Sequence, residues 1–577
     1  MSDSNMKNNG FGKFARPDRF VGLHGHSGFS TYDGLGYPGQ HIDFVLDNEM
    51  DAWALTDHGH GSGLAHAHKH FDKMKKEGRK YRQVYGVEFY FVEDLDIWKE
   101  NYDGHRLKVQ NERDAKKAEK LATTDLSSDN EDDLKSSGHT IENEEESKGG
   151  FKDKPEWMRR YHLVITAKNA IGLQNLFTLV KRGYTDGFYR FPRIDFKLLQ
   201  QYGEGLNVST ACIGGITAGR TFQAFPGVDF MDLKPDLLDD PSKKKALMST
   251  LENLTDRFVD AVGQDNFFYE LQFNKLPAQH LSNRALLELH DQTGIGLITT
   301  CDSHYPGKDL WEARELYKKL GWMGNDPSPL PKLEDLKCEL YPKNASEVWD
   351  EFDRDWHEHD FYQGREDLIK DSVERTHDIV WDSFEDVWVD SKAKLPNYAV
   401  PQKGHACYPE VPDDTPFQQL AKLVKKEMIN HKMAEKPEYV ARIKEELADI
   451  KFLGFENYFL TMYDVFHLAA KKTLFGPGRG SGAGSLVNYL LGITQIDPIP
   501  YGLLWSRFLG RHRTSWPDID SDAGDREALI DAARELFGDD AVIPVSNFNT
   551  LKLKSIVKDV SKFYDVPFQE VNIVTGP

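Results

Sequence analysis

GPGRGSGAGS at residues 476–485, followed by PDIDSD at 517–522, is the stretch whose reading decides the fold of this chain. Glycines let a backbone approach a phosphate closely, because no Cβ blocks it and unusual dihedrals are cheap. Arg479 adds a guanidinium that can fork onto phosphate oxygens. Residues two apart on a strand face the same side, so Asp518 and Asp520 are expected to offer two carboxylates to one metal cluster. A phosphate cradle leading to paired carboxylates is what nucleotidyl transfer needs. A dinucleotide fingerprint would instead follow a strand and open a βαβ unit. Here the preceding FHLAAKKTLF (466–475) reads helical, and the acids come as a doublet.

Working outward, the run GPGRGSGAGSLVNYLLGITQIDPIPYGLLWSRFLGRHRTSWPDIDSD resembles the palm of the bacterial replicative polymerases of the C family, the DNA polymerase III alpha subunits. The loop, the LGIT-DP turn, Arg507 with Phe508, and the PDxD aspartates occur in the family's order. GFENYFLTMYDVFHLAA (454–470) resembles the helix leading into that loop, and FNTLKLKSIVKDV (548–560) the start of the thumb. The resemblance implies that Asp518 and Asp520 are catalytic and hold two magnesium ions. It also implies that Arg479, Gly480, Ser481 and Arg507 bind the triphosphate, with Lys554 near DNA or nucleotide.

The chain's 577 residues and 66.0 kDa call for several domains. Its net charge of −21 argues against a protein that coats DNA, since backbone neutralisation needs Lys and Arg. The acid concentrates at Asp129–Glu146 and Glu351–Asp390, whereas Lys552, Lys554, Lys558 and Lys562 make the end basic. Four cysteines without a CxxC give no disulfide framework and fit a reducing cytoplasm. No apolar run suggests a membrane span, and the polar N-terminus does not read as a signal peptide. The polar segment 111–153 reads as a disordered acidic insertion.

Toward the N-terminus, short apolar runs alternate with helical stretches in the rhythm of an α/β barrel. The expected strands are FVGLHGH, AWALTDH, VYGVEFYFV, YHLVITA, LNVSTAC and IGLITTCDSH. Metal-type residues cluster at or near them: His24, His26, Asp33, His58, Glu88, His162, Cys212, Asp302 and His304. Strand C-termini of such a barrel converge on one mouth, so these nine can meet. Mixed imidazole, carboxylate and thiolate ligands suit zinc, manganese or iron in a cluster that activates water. His60, His66, His68 and His70 read as bystanders on a helix surface.

This pattern resembles the PHP (polymerase and histidinol phosphatase) domain that opens the same family, with all nine metal positions filled. It implies up to three zinc, manganese or iron ions and a metal-dependent phosphoesterase, specifically a 3′→5′ proofreading exonuclease. The expected fold is multidomain α/β: a distorted TIM-like (β/α)7 PHP barrel at 1–310, the first part of an α+β polymerase palm at 311–544, and the start of a thumb at 545–577. Helices are expected from Trp311 to about Lys472, with YVARIKEELADIKFLGF ending near Gly454 and Pro-rich linkers between them.

The family's third aspartate and its fingers have no counterpart before Pro577. One reading is a split polymerase completed by a separately encoded C-terminal half, with primer-template DNA and dNTPs as substrates and a sliding clamp reached through that half. The others are a degenerate polymerase acting only as a phosphoesterase, or a non-catalytic replisome adaptor. The expected setting is the cytoplasm of a bacterial or phage-infected cell.

Overall fold

Five of the six strands expected from the apolar runs form, and FVGLHGH, present only as isolated bridges, closes them into a ring. The structure, a computed structural model, describes residues 15–123, 156–321, 338–387, 389, 414–512, 516–543, 547–564 and 566–576. It divides into two compact units, one of Met1–Val389 with Thr550–Pro577 and the other of Asp390–Asn549.

In the first unit the strands are β1 (Ala52–Leu55), β2 (Arg82–Phe91), β3 (Tyr161–Ala167), β4 (Phe188–Tyr189), β5 (Phe191–Ile194), β6 (Leu206–Ser209), β7 (Phe267–Leu271) and β8 (Leu297–Thr299). The pairing runs β1-β2-β3-β6-β7-β8, parallel except that β3 is antiparallel to both β2 and β6. The segment 20–26 completes the ring through parallel bridges Gly22↔Trp53 and Gly25↔Ser303. Gly25 is required there, because a Cβ would fall 2.5 Å from Trp53 Nε1.

The reversal of β3 has a consequence for the mouth. Its first residues, not its last, lie beside the C-terminal ends of its neighbours, with His162 opposite Tyr90. Apart from β4, each strand buries nearly its whole length, and Trp53, Phe89, Phe91, Phe267 and Tyr269 are fully buried. Burying side chains of that size stabilises the fold by roughly 1.5–3 kcal/mol each. Helices such as Pro38–Asp47, Ala170–Asp186 and Pro277–Thr293 bury one face each.

Several elements depart from expectation. β4, β5 and β7 lie outside the expected strands, although the FFY of β7 is a run of strand formers. The insertion also begins later than 111, since the helix Leu95–Thr123 passes through its first residues. That stretch is rich in Lys, Glu, Ala and Leu, all good helix formers, and Trp98, near its start, is buried and stacks on Tyr102 at 5.4 Å. Residues 124–155, including the acidic run at Asp129–Glu146, lie outside the described residues. So do Cys407 and the Pro-rich stretches 326–332 and 394–403.

The second unit is built from the helices Pro416–Asn430, Pro437–Leu453, Glu456–Ala469, Leu486–Leu490 and Arg526–Phe537. Pro437–Leu453 stops where the sequence places its end, at Gly454 with φ +74°. Its Ile443 and Ile450 are buried, with Val440 and Leu447 packed against the same core. Among the described residues of this unit, β structure is confined to the isolated bridges Phe475↔Ala523 and Arg479↔Asp520.

Candidate metal centre and nucleotide site

Glu88, 1% exposed, is the hub of the barrel mouth. Its Oε1 lies 2.8 Å from His162 Nδ1 and 3.3 Å from His24 Nε2, while Oε2 lies 2.5 Å from His58 Nδ1 and 3.5 Å from His26 Nε2. Asp302 Oδ1 stands 3.3 Å from the Nε2 atoms of both His24 and His26. Asp33 Oδ2 takes His58 at 2.9 Å and His304 at 3.2 Å. Cys212 Sγ is 3.7 Å from His162 Nδ1 and 3.8 Å from Glu88 Oε1. All nine residues expected from the sequence therefore meet in one place.

Three sets offer ligand atoms within 4.8 Å of one another: His26, His58 and His304; His24, His26 and Asp302; His58, Glu88 and His162. His24 Nε2, His26 Nε2, His58 Nδ1, Glu88 Oε2 and Asp302 Oδ1 are buried without a hydrogen-bond partner. Leaving such an atom unpaired costs about 1–3 kcal/mol, and five in one cluster is a strained arrangement unless cations take their lone pairs. The donor set fits metal ions.

The electrostatics point the same way. Burial opposes charge on His24, but Asp302, Glu270 and Glu88 overcome it and raise its pKa well above the usual histidine value. Burial, with His58 and His304 nearby, lowers His26 to about 4. Against the cost of burial, His162, His58 and His24 hold Glu88 well below the usual carboxylate range. Burial and then the Asp302 and Glu88 charges push the Cys212 thiol well up. A bound cation is what would favour its thiolate. The backbone is also unusual here, with Ala211 at φ 60° and Asp302 at φ 46°, a cost tolerated where the surrounding structure fixes it.

Two residues at this site escaped the sequence reading. Glu270 on β7 accepts from His24 Nδ1 at 2.7 Å and from Ser209 Oγ at 2.6 Å, so it orients that imidazole. Arg314 reaches Asp33 Oδ1 at 2.5 Å and its carbonyl at 2.9 Å. A buried Glu inside an aromatic strand was the available signal for the first; Arg314, on a helix far along the chain, gave none. Of the bystander histidines, His68 is not on the surface: it is buried with Nδ1 2.6 Å from the Tyr85 hydroxyl, and His70 pairs with Asp43.

In the second unit the glycine-rich loop and the aspartates lie side by side. Arg479 bridges Asp520 in antiparallel fashion, and Gly476 N donates to Asp522 O at 2.8 Å. Gly480 sits at φ +62°, and a Cβ there would fall 2.2 Å from Asp520 Oδ2. The PDIDSD run is thus extended, though paired only through isolated bridges instead of a full strand. Asp518 and Asp520 are exposed, and the Tyr458 hydroxyl accepts from the Ile519 N–H between them at 3.0 Å. The loop is braced from behind. Buried Glu446 accepts from Ser485 Oγ, Leu486 N and Val487 N, while Arg442 donates to Gly484 O and to Leu503 O, close before Arg507. Ser481 follows Gly480 in the same turn. Lys554 belongs to the other unit, on the helix Leu553–Phe563.

Comparison with known proteins gives both regions a family. Residues 22–274 match the PHP domain, and 418–576 match the bacterial DNA polymerase III alpha NTPase domain. The chain is 31% identical over 561 residues to the DNA polymerase III subunit alpha of Aquifex aeolicus, an alignment covering 95% of this chain and 40% of that protein. The chain belongs to the DNA polymerase III alpha family. The subunit from Borreliella burgdorferi is 28% identical, across 96% of this chain and again 40% of the relative. The chain thus spans about 40% of the length of these alpha subunits. An amidohydrolase structure from Chromobacterium violaceum aligns with 52% of this chain and 96% of its own at 16% identity and TM-score 0.23, too slight a likeness to argue from. Among the described residues no helix is long and apolar enough to cross a membrane.

Proposed function

We propose that this chain corresponds to the N-terminal part of a replicative DNA polymerase III alpha subunit and takes part in template-directed DNA synthesis. The observation that carries this is the pairing of Arg479 with Asp520 across Gly480, which sets a phosphate-sized glycine loop against a carboxylate. Asp518 and Asp520 would hold two magnesium ions, which supply activation of the primer 3′-hydroxyl and neutralise the triphosphate. Arg479 and Arg507 orient the phosphates by guanidinium forks, and the backbone N–H groups at Gly480 and Ser481 donate to the phosphate oxygens. Lys554 contacts DNA or nucleotide. The partners are primer-template DNA, dNTPs and a sliding clamp. The domain division 1–310, 311–544 and 545–577 belongs to this reading, and the setting is the cytoplasm.

A second activity is supported by the orphaned buried atoms of the barrel mouth. We assign to it a metal-dependent 3′→5′ exonuclease. His24, His26, Asp33, His58, Glu88, His162, Cys212, Asp302 and His304 would hold up to three zinc, manganese or iron ions, which supply an acidified water and offset phosphoester charge. Glu270 keeps the His24 ring in register, and Arg314 fixes the Asp33 carboxylate.

The test is primer extension by the polymerase that contains these residues. Asp518→Ala or Asp520→Ala should each abolish extension of a primed template, because removing one carboxylate leaves the metals without the geometry for in-line attack. Extension at the parent's rate by either variant would overturn the reading, and loss of neither synthesis nor DNA hydrolysis in both would favour a site that is not catalytic.

A further inference from the structure

The helix Trp311–Gly321 is docked on the turn that carries Asp33. Arg314 Nε donates to the Asp33 carbonyl at 2.9 Å, and its Nη2 lies 2.5 Å from Asp33 Oδ1. One turn on, the Tyr317 ring meets Tyr32 at 5.4 Å. Gly321 closes the contact, since a Cβ there would fall 2.5 Å from Tyr32 Cγ. Residues 314, 317 and 321 follow the helical period, and Lys318 completes the same stripe.

Lys318 is half-buried. Burial, with the Arg314 charge one turn away, lowers its pKa below the usual lysine value, while Asp33, Glu315 and Asp302 pull it back. Asp33 and Asp302 belong to the metal-type cluster, so the ammonium lies within electrostatic reach of the mouth. Yet among the described residues Lys318 has no hydrogen bond or ion pair.

The acids around it already serve other groups. Asp33 gives Oδ1 to Arg314 and Oδ2 to His58 and His304. Asp302 Oδ1 faces His24 and His26. Glu315 Oε1 takes Arg314 Nη1 at 2.9 Å. Arg314, with three nitrogens committed, is a fixed strut. Lys318 is the opposite case, a cation held partly out of water with its donors unspent. An ordinary surface lysine lays down its stem and keeps its head in water.

The counter-charge for such a lysine has to come from an anion that enters the mouth. A compact ammonium with rotatable donors binds phosphate as a point charge, and a neutral ester or amide offers it nothing comparable. We propose that Lys318 is a substrate-binding residue of the barrel mouth, its ammonium taking a non-bridging oxygen of an anionic phosphoester held on the Asp33 and Asp302 side of the cluster. This rests on the phosphoesterase reading of the barrel and adds to it the residue that recognises the substrate's charge.

Calorimetric titration of inorganic phosphate into the metal-replete whole chain reads the site without turnover. Lys318→Gln should weaken phosphate binding about tenfold, with metal content and thermal midpoint equal to the parent's. Lys318→Met, which keeps the stem without the charge, should do the same, and Lys318→Arg should recover most of the affinity. In hydrolysis of bis(p-nitrophenyl) phosphate, the two neutral variants should raise KM by a similar factor. Failure of the parent to bind phosphate, or equal affinity in parent and neutral variants, overturns the assignment. A fall in thermal midpoint at unchanged affinity also overturns it, and shows that the lysine balances Glu315 instead. Phosphate binding that depends on Lys318 without diester hydrolysis upholds the binding role and removes the phosphoesterase reading; diester hydrolysis with KM unchanged in the variants does the reverse.

Discussion

The barrel mouth and the glycine-loop site use the same currency, carboxylates near phosphate-binding groups, in opposite physical settings. At the mouth, Glu88 and His24 are buried and their free atoms point at one another. At the loop, Asp518 and Asp520 are exposed and solvated. Taking several charges out of water costs several kcal/mol per ion unless they are compensated, so the mouth, with its orphaned buried atoms, carries a demand for cations. The loop region carries no such demand. Its order comes from behind, through Arg442 and Glu446. The difference teaches that buried donors must be compensated where they sit, whereas exposed carboxylates are compensated by water.

The strongest way to break this comparison is at the mouth. Replacing His24 and His26 together with alanine should empty the cluster by metal analysis and take cleavage of a 5′-labelled single strand to background. Retained nuclease activity would remove the assignment. Next is the loop. Gly480→Ala places a Cβ against Asp520 at positive φ, and in the polymerase that contains this segment a displacement of about 1 Å should cost about a hundredfold in incorporation. A primer-extension rate equal to the parent's would show that the loop has no such constraint.

A subtler change sharpens the contrast at the mouth. Glu270→Gln keeps the shape but weakens the hold on His24, and outer partners of this kind are worth roughly 10–100-fold in metal affinity. Competition with a chromogenic chelator measures it. The smallest effect is expected in the second unit at Asp464, fully buried with neither carboxylate oxygen partnered. Burial pushes its pKa from 3.8 up to about 8. The folded state then binds a proton more tightly than the unfolded, so this contribution is full below the unfolded value and is lost as pH rises toward about 8. Asp464→Asn should therefore gain thermal midpoint over the parent as pH climbs from 5 to 8, with the difference level above that; a constant difference would show the carboxyl ionised throughout.

Much of both sites was legible in residue order. The mouth residues were readable because metal-type side chains gather at or near the apolar runs, although Asp33 lies in a turn and Glu88 inside β2, and the loop and PDxD aspartates because glycine and aspartate each have a narrow physical use. Less was legible where context decides. Glu270 lay in a strand whose aromatic run is equally compatible with a buried helix. The helix Leu95–Thr123 extends into polar sequence that composition alone assigns to disorder. His68 reads as a surface residue until Tyr85 is placed beside it.

Local propensity and motif spacing, which are properties of the chain, carried most of the elements, the metal-type residues and the family resemblance. That β3 runs backwards, bringing His162 to the mouth from a strand's beginning, and that Glu88 touches four imidazoles at once, came from the folded arrangement alone. It also decided that the β4–β5 hairpin stands beside them. Those are matters of which strand pairs with which, and pairing is set by long-range packing that no local window contains.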